Sequence, residues 1–165
     1  MRLISEFAEV TPRVAGKPER PLLDETRLRV EGEHPLMVGD RLDTDIEGAR
    51  RAETDSLLVM TGVSSLADLV GASPDERPTW IGHDLTALDR PGLSAAPERS
   101  GWTAGPWHAF VADGRIVVEG QGSDAAECDA WWTAVAAAGW QHLDRAGTPA
   151  DTAAVTEPGR PTSTG

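Results

Sequence analysis

Acidic residues gather where an apolar run ends. The run Pro35–Val38 is followed directly by Gly39-Asp40, and two more aspartates follow at Asp43 and Asp45. A carboxylate placed just after a strand of a parallel sheet points into the crevice where ligands bind, and Gly39 permits a tight turn and a close ligand approach there. Carboxylate oxygens suit Mg²⁺, which takes one or two carboxylates together with water and substrate phosphate. Asp40 is therefore a candidate magnesium ligand. The alternatives are an acid that faces solvent and an acid that caps the next helix.

The two later aspartates have a simpler interpretation, as turn and cap residues. Thr44 or Asp45 can cap a helix that runs through about Glu53, because their side-chain oxygens accept from free backbone N–H groups. Asp43 lies inside the turn and not directly after a strand. A calcium loop is excluded because the residues from Asp40 onward lack the D-x-D-x-D-G order.

A lysine is expected at the same edge of the sheet. Lys17 stands at the start of a helix predicted over Pro18–Val30, and that helix feeds the strand that ends before Asp40. Because the helix runs down the sheet and the next strand runs back up, Lys17 and Asp40 should meet at one edge. A lysine beside a metal-binding carboxylate is an arrangement for handling phosphate. Arg41 is a candidate substrate contact, with exposure to solvent or an ion pair as the alternatives. A surface position is the alternative for Lys17.

Short apolar strands alternate with helices in the first half of the chain. Strands are predicted at Pro35–Val38, Ser56–Thr61 and Pro78–Ile81. Ser64 opens the helix after the second strand, with Asp68 near the position of a capping box. This alternation is typical of a parallel sheet covered on both faces. The predicted fold class is α/β, a Rossmann-like three-layer sandwich.

The second half of the chain has a different character. Residues 93–105 resemble a loop, and His108–Val118 predicts a β-hairpin that turns at Asp113-Gly114. Ser123–Leu143 predicts a helix that carries three of the six tryptophans, for which core packing and a partner surface are the alternatives. From Arg145 onward Pro, Thr, Gly, Ala and Ser predict a disordered tail.

Three segments together resemble a known superfamily. Residues 15–26, 35–65 and 77–88 resemble the haloacid dehalogenase-like (HAD) hydrolases, in their branch of capped sugar-phosphate and phosphoglycolate-type phosphatases. The specific signal is GDRLDTDI followed by SLLVMTGV. The resemblance implies a Mg²⁺-dependent phosphatase that acts on a small phosphorylated metabolite.

The resemblance also implies roles for individual residues. Lys17, in Gly16-Lys17-Pro18, is similar to the lysine that stabilises charge on phosphate and nucleophile, and Asp40 to the aspartate that binds Mg²⁺. Asp45 is similar to a further aspartate of that motif, which either contacts the metal-binding residues without binding the metal itself or caps the helix. In that family one aspartate attacks phosphorus to form an aspartyl-phosphate, and a second works as general acid and base.

The sequence departs from the family at the nucleophile. The 165 residues contain no D-x-D-G-[TV] sequence, and only Ser5 and Thr11 stand ahead of Lys17 as candidates for the second motif. We expect the chain to be the C-terminal part of such a phosphatase, inactive alone, with a missing N-terminal half or a homodimer as its partner.

The expected organisation has three parts. Residues 1–92 form the C-terminal part of a HAD-like core, 93–144 an extension of hairpin and Trp-rich helix, and 145–165 a tail. A non-catalytic interaction module that uses the Trp-bearing region is the alternative function. A different Rossmann-like domain for a small ligand is disfavoured because no G-x-G-x-x-G follows a strand.

Composition narrows the classes of partner. The net charge of −12, from 27 acids against 15 bases, argues against nucleic acids and anionic membranes. The sequence contains no run of roughly 18 apolar residues, so no membrane span is predicted. Cys128 is the single cysteine, so no internal disulfide can form. We expect a cytoplasmic protein.

Overall fold

A parallel sheet of three strands organises the first half of the chain. The computed structural model describes residues 16–30 and 33–159. The strands are β1 (Leu36–Gly39), β2 (Asp55–Val59) and β3 (Trp80–Gly82), ordered β1-β2-β3 with both pairings parallel. The predicted α/β class with a parallel sheet is confirmed, and each strand lies within two residues of its predicted start.

The connections of the parallel sheet are helical. Four α-helices lie in the described residues: α1 (Arg20–Val30), α2 (Glu47–Arg51), α3 (Leu66–Val70) and α4 (Ala125–Ala146). At the start of α3 the Ser65 side chain accepts from the Asp68 backbone N–H, and the Asp68 carboxylate accepts from the Ser65 backbone N–H. This confirms the predicted capping-box position of Asp68, and the helix is capped by Ser65, one residue after the predicted Ser64.

The segment after β1 is helical earlier than predicted. A π-helical turn over Leu42–Ile46 leads directly into α2. Asp45 therefore lies inside the helical segment, and the prediction that it caps the helix is wrong. The residue at the cap position is Arg41, whose side chain makes no capping hydrogen bond.

An antiparallel sheet of four strands follows β3. Its strands are β4 (Ala96–Glu98), β5 (Gly101–Ala104), β6 (Trp107–Ala112) and β7 (Arg115–Glu119), paired in sequence order. The predicted hairpin is confirmed as β6–β7. Its two turn residues Asp113 and Gly114 have φ of 49° and 75°, and positive φ at both centres is the geometry of a tight I′ turn.

The loop predicted over residues 93–105 is instead a second hairpin, formed by β4 and β5. All three residues of β4 are exposed, so the strand shows no alternation of apolar and polar residues. Pro97 is acceptable there because β4 is an edge strand of this sheet. Sequence patterning misses a strand of this kind because its face buries nothing.

The long helix α4 joins the two sheets in one hydrophobic core. It packs against β3 and α3 of the first half and against β5 and β6 of the second. Trp131 and Trp132 are adjacent on α4, yet each is only 2% exposed, and their rings meet edge to face at 4.8 Å. Core packing, one of the two alternatives for these tryptophans, is therefore confirmed.

A buried ion pair fastens α4 to the segment after β3. The Asp129 carboxylate accepts from Nε and Nη2 of Arg90 at 2.8 and 2.6 Å, and from the His83 backbone N–H at 2.7 Å. Trp132 Nε1 donates to His83 Nδ1 at 3.3 Å. The buried Asp129 carboxylate and the Trp132 N–H thus each receive a partner, as buried polar groups require.

The prediction of disorder from residue 145 is wrong for the described part of that tail. Ala150 is buried, and Asp151 forms a bridge beside β7, where the Ile116 N–H donates to its carbonyl at 3.0 Å. These contacts give a polar segment a fixed place that composition does not reveal. Residues 160–165 lie outside the described residues. None of the described helices is long and apolar enough to cross a bilayer.

Candidate functional site

Lys17 reaches the turn that follows β1. It lies in the short turn ahead of α1, and its ammonium donates to Asp45 Oδ1 at 2.7 Å. The side chains of Lys17 and Asp45 are 38% and 10% exposed, so the pair sits at the boundary between core and solvent. The structure thus brings Lys17 to the end of β1, where it contacts Asp45 and not Asp40.

The second oxygen of Asp45 holds the backbone beside Asp40. Asp45 Oδ2 accepts from the Arg41 N–H at 3.2 Å, so one carboxylate links Lys17 to the residue directly after Asp40. A Cβ added at Gly39 would lie 2.4 Å from three atoms of the Asp45 side chain, a distance that real Cβ atoms do not show. Gly39 is therefore required for this carboxylate to fold back over the strand end.

Asp40 is half-buried and lies directly after β1. Its carbonyl oxygen accepts twice from Ser64, from the backbone N–H at 3.2 Å and from the hydroxyl at 2.7 Å. Ser64 follows β2 at the same edge of the sheet, so the two strand ends are tied together at Asp40. The Asp40 carboxylate accepts no hydrogen bond from any residue in 16–30 or 33–159.

Arg41 and Asp43 form an exposed ion pair at the rim. The guanidinium donates from Nε and Nη2 to the two Asp43 oxygens at 3.0 and 2.7 Å. This hydrogen bonding raises the pKa of Arg41 and lowers the pKa of Asp43. Since exposed ion pairs contribute little to stability, Arg41 remains able to exchange Asp43 for another anion.

The charges at this edge differ in their state of pairing. Asp45 is paired with Lys17, and Asp43 with Arg41, which leaves Asp40 as the acid of this turn without a cation among the described residues. A half-buried carboxylate with hard oxygens fits Mg²⁺. Within residues 16–30 and 33–159 no three His, Cys, Asp or Glu side chains gather as a full ligand set. The edge therefore offers a partial site, of the kind that Mg²⁺ completes with water and phosphate.

The sequence did not predict that Ser64 belongs to this edge. Ser64 was predicted only as the opening residue of a helix, whereas the structure uses both its N–H and its hydroxyl to fix Asp40. The available signal was its place just after the neighbouring strand, since the ends of adjacent parallel strands meet at one edge.

Comparison with known proteins identifies relatives of this region. Residues 14–88 match the HAD-hydrolase-like family. The chain is 48% identical over 109 residues to D-glycerol 3-phosphate phosphatase of Mycobacterium tuberculosis, which covers 65% of this chain and 29% of the relative. It is 34% identical over 88 residues to ribonucleotide monophosphatase NagD of Escherichia coli, which covers 52% of this chain and 34% of the relative.

A solved structure extends the likeness beyond the family segment. The crystal structure of a glycerol phosphate phosphatase from Mycobacterium tuberculosis in complex with magnesium matches with a TM-score of 0.65 and 39% identity. The match covers 85% of this chain and 40% of that chain. The chain thus spans about a third or less of the length of these curated relatives.

Proposed function

We propose that the chain, whose residues 14–88 match the HAD-hydrolase-like family, carries the magnesium- and phosphate-binding part of a phosphomonoester hydrolase site. The observation that carries this proposal is the linked set at the end of β1. The Asp45 carboxylate accepts hydrogen bonds from the Lys17 ammonium and from the Arg41 N–H. Asp40 lies between Arg41 and the end of β1. The Lys17 ammonium and an acid that has no cation partner in residues 16–30 or 33–159 therefore share one edge of the sheet.

Lys17 supplies the positive charge for the phosphoryl oxygens. Its contact with Asp45 holds the ammonium at the strand end, and its exposed fraction leaves N–H groups available to a ligand. An ammonium has three donors, so one bond to Asp45 leaves two for phosphate oxygens. Asp45 thereby orients Lys17 without contacting the ester itself.

Asp40 supplies a hard ligand for Mg²⁺. Its carbonyl accepts a hydrogen bond from the Ser64 hydroxyl, and the N–H of the next residue, Arg41, donates to the Asp45 carboxylate. Mg²⁺, when bound, neutralises charge on phosphoryl oxygens. The magnesium complex of the similar mycobacterial phosphatase supports this choice of metal.

The covalent step needs an aspartate that this sequence lacks. The resemblance to HAD phosphatases implies an aspartate nucleophile in a D-x-D-G sequence, and none occurs in the 165 residues. We propose that these residues bind Mg²⁺ and a small phosphate ester but do not hydrolyse it by themselves. The names of the relatives, among them phosphatases of glycerol 3-phosphate, support a small phosphorylated metabolite as the ester.

Lys17 allows a direct test of phosphate binding because it is the only lysine in the sequence. Labelling with lysine enriched in ¹³C at Cε gives one carbon signal that reports this side chain. Addition of inorganic phosphate should shift the signal when Mg²⁺ is present, and Asp40→Asn should remove the shift. An equal shift in Asp40→Asn, or none in the wild-type chain, would contradict the proposed site.

Turnover is tested separately with p-nitrophenyl phosphate and Mg²⁺. The chain should release no p-nitrophenol above the rate of buffer alone. Robust release that Asp40→Ala abolishes would show that an unrecognised nucleophile operates within these residues, and would overturn the claim of inactivity while leaving the binding site intact.

A further inference from the structure

A cavity of about 450 Å³ opens at the opposite edge of the parallel sheet from Asp40. It lies between α4, the start of β3 and the segment ahead of β4, and its walls include three indole rings, those of Trp80, Trp102 and Trp140. Its volume falls within the range of small-molecule sites, which are lined mainly by apolar and aromatic side chains with a few polar groups. The proposed phosphatase chemistry uses none of these residues.

Two of the three indole rings, those of Trp140 and Trp80, are held in place without a ligand. Trp140 Nε1 donates to the Leu69 carbonyl at 2.7 Å, and the Arg77 guanidinium lies 5.5 Å above the same indole ring. Trp80 rests on the backbone of Gly92, where an added Cβ would meet its ring nitrogen at 2.3 Å. A ligand that enters this cavity therefore has few side chains to order, which lowers the entropic cost of binding.

The charges at the mouth of the cavity favour an anion. Arg77 and Arg145 face a single acid, Asp144, and Arg77 binds both oxygens of that acid at 2.9 and 2.6 Å. Arg145 forms no ion pair with a described residue. Arg145 therefore gives the mouth of the cavity a positive charge, in a chain whose net charge of −12 otherwise repels anions.

We propose that this cavity binds a small planar aromatic molecule that carries one anionic group. The flat, apolar part lies among the three indoles, and the anion lies toward Arg145. Stacking on indole rings and pairing with an arginine at the rim then select the same ligand class. This inference stands independently of the phosphate site, because the two sites share no residue.

The test uses 2-naphthoate as the anionic probe and 2-naphthamide as its uncharged counterpart. Saturable quenching of tryptophan fluorescence should report 2-naphthoate binding to the full chain. Ala137, which lines the cavity, is replaced in Ala137→Phe to fill it, and this should weaken binding at least tenfold. Ala126→Phe, on an exposed position of the same helix, is the matched control and should leave binding unchanged.

Arg145→Gln separates charge from stacking, and should weaken 2-naphthoate several-fold while leaving 2-naphthamide unaffected. Should Ala137→Phe fail to fold, Ala95→Phe fills the cavity from another wall. The proposal is overturned by the absence of saturable binding, or by equal binding in the filled variants. It is also overturned if the chain sediments as a dimer and no probe quenches its tryptophan fluorescence.

Discussion

The ammonium of Lys17 lies 2.7 Å from Oδ1 of Asp45, a contact that joins positions 28 residues apart in the sequence. The other Asp45 oxygen accepts from the N–H of Arg41, so this carboxylate connects the turn before α1 with the end of β1. Asp40, the proposed magnesium ligand, therefore lies at the same strand end as the Lys17 ammonium but forms no ion pair with it. This separation leaves its oxygens available to a metal ion.

Replacement of Asp45 by asparagine should release Lys17. The pair is partly buried, so its loss should lower the free energy of unfolding by about 1–2 kcal/mol, less than for a fully buried pair. Urea denaturation measures this loss, and Asp43→Asn is the matched control because its pair with Arg41 is exposed, so that its loss should cost much less. Equal losses in the two variants would contradict the structural role of Asp45.

Replacement of Gly39 by alanine should displace the Asp45 side chain. The added methyl group would overlap atoms of that side chain, and such overpacking costs about 1–3 kcal/mol. The Lys17 carbon signal should then move to the position that it has in Asp45→Asn. Gly159→Ala is the control, since no described atom lies within 4 Å of a Cβ there. An unchanged Lys17 signal in Gly39→Ala would refute the predicted close approach.

Replacement of Arg90 by methionine should destabilise the chain strongly. The side chains of Arg90 and Asp129 are 21% and 6% exposed, so the change leaves a buried carboxylate without its cation. We expect a loss of about 2–4 kcal/mol in urea denaturation. Arg115→Met is the control because Arg115 and Asp151 are mainly exposed, and a loss below about 0.5 kcal/mol is expected. A small loss for Arg90→Met would show that water reaches Asp129.

Cys128 should react slowly with thiol reagents while the chain is folded. Its side chain is buried, and burial raises the pKa of the thiol, so the folded chain holds less of the reactive thiolate. At pH 8 the reaction with Ellman's reagent should be at least about tenfold slower than in urea. Equal rates in the two conditions would show that the thiol is exposed.

The same pKa shift sets a pH dependence of stability. Below the ordinary thiol pKa of about 8.5, the Cys128 thiol is neutral in the folded and in the unfolded chain, so its ionisation does not affect stability. As pH rises above that value the unfolded chain ionises first, so the free energy of unfolding falls until the folded thiol also ionises. Cys128→Ala should flatten this slope between pH 8 and 10, and an unaltered slope would assign it to another group.

The local sequence predicts the strands of the parallel sheet, the capping-box position of Asp68 and the tight turn at Asp113-Gly114, because each depends on residues near in sequence. The helical turn at Leu42–Ile46 could not be predicted in this way. Asp45 has the chemistry of a capping residue, and only the approach of Lys17 from a distant segment gives its carboxylate a different partner.

Two parts of the second half, β4 and the segment around Ala150, could not be predicted from local sequence. β4 is wholly exposed, and Ala150 is buried only through the contact of its segment with β7. The roles proposed for Lys17 and Asp40 came from residue type, order along the sheet and family resemblance. The role of Ser64 depends on two hydrogen bonds that residue type alone does not indicate.

The central claim is that a metal held by Asp40 lies close to Lys17. Manganese(II) can replace Mg²⁺ as a paramagnetic probe, and it broadens the single ¹³Cε lysine signal with the inverse sixth power of distance. We predict strong broadening in the wild-type chain and in Asp43→Asn, and its loss in Asp40→Asn. Equal broadening of the Lys17 signal in Asp40→Asn and the wild-type chain would contradict the account.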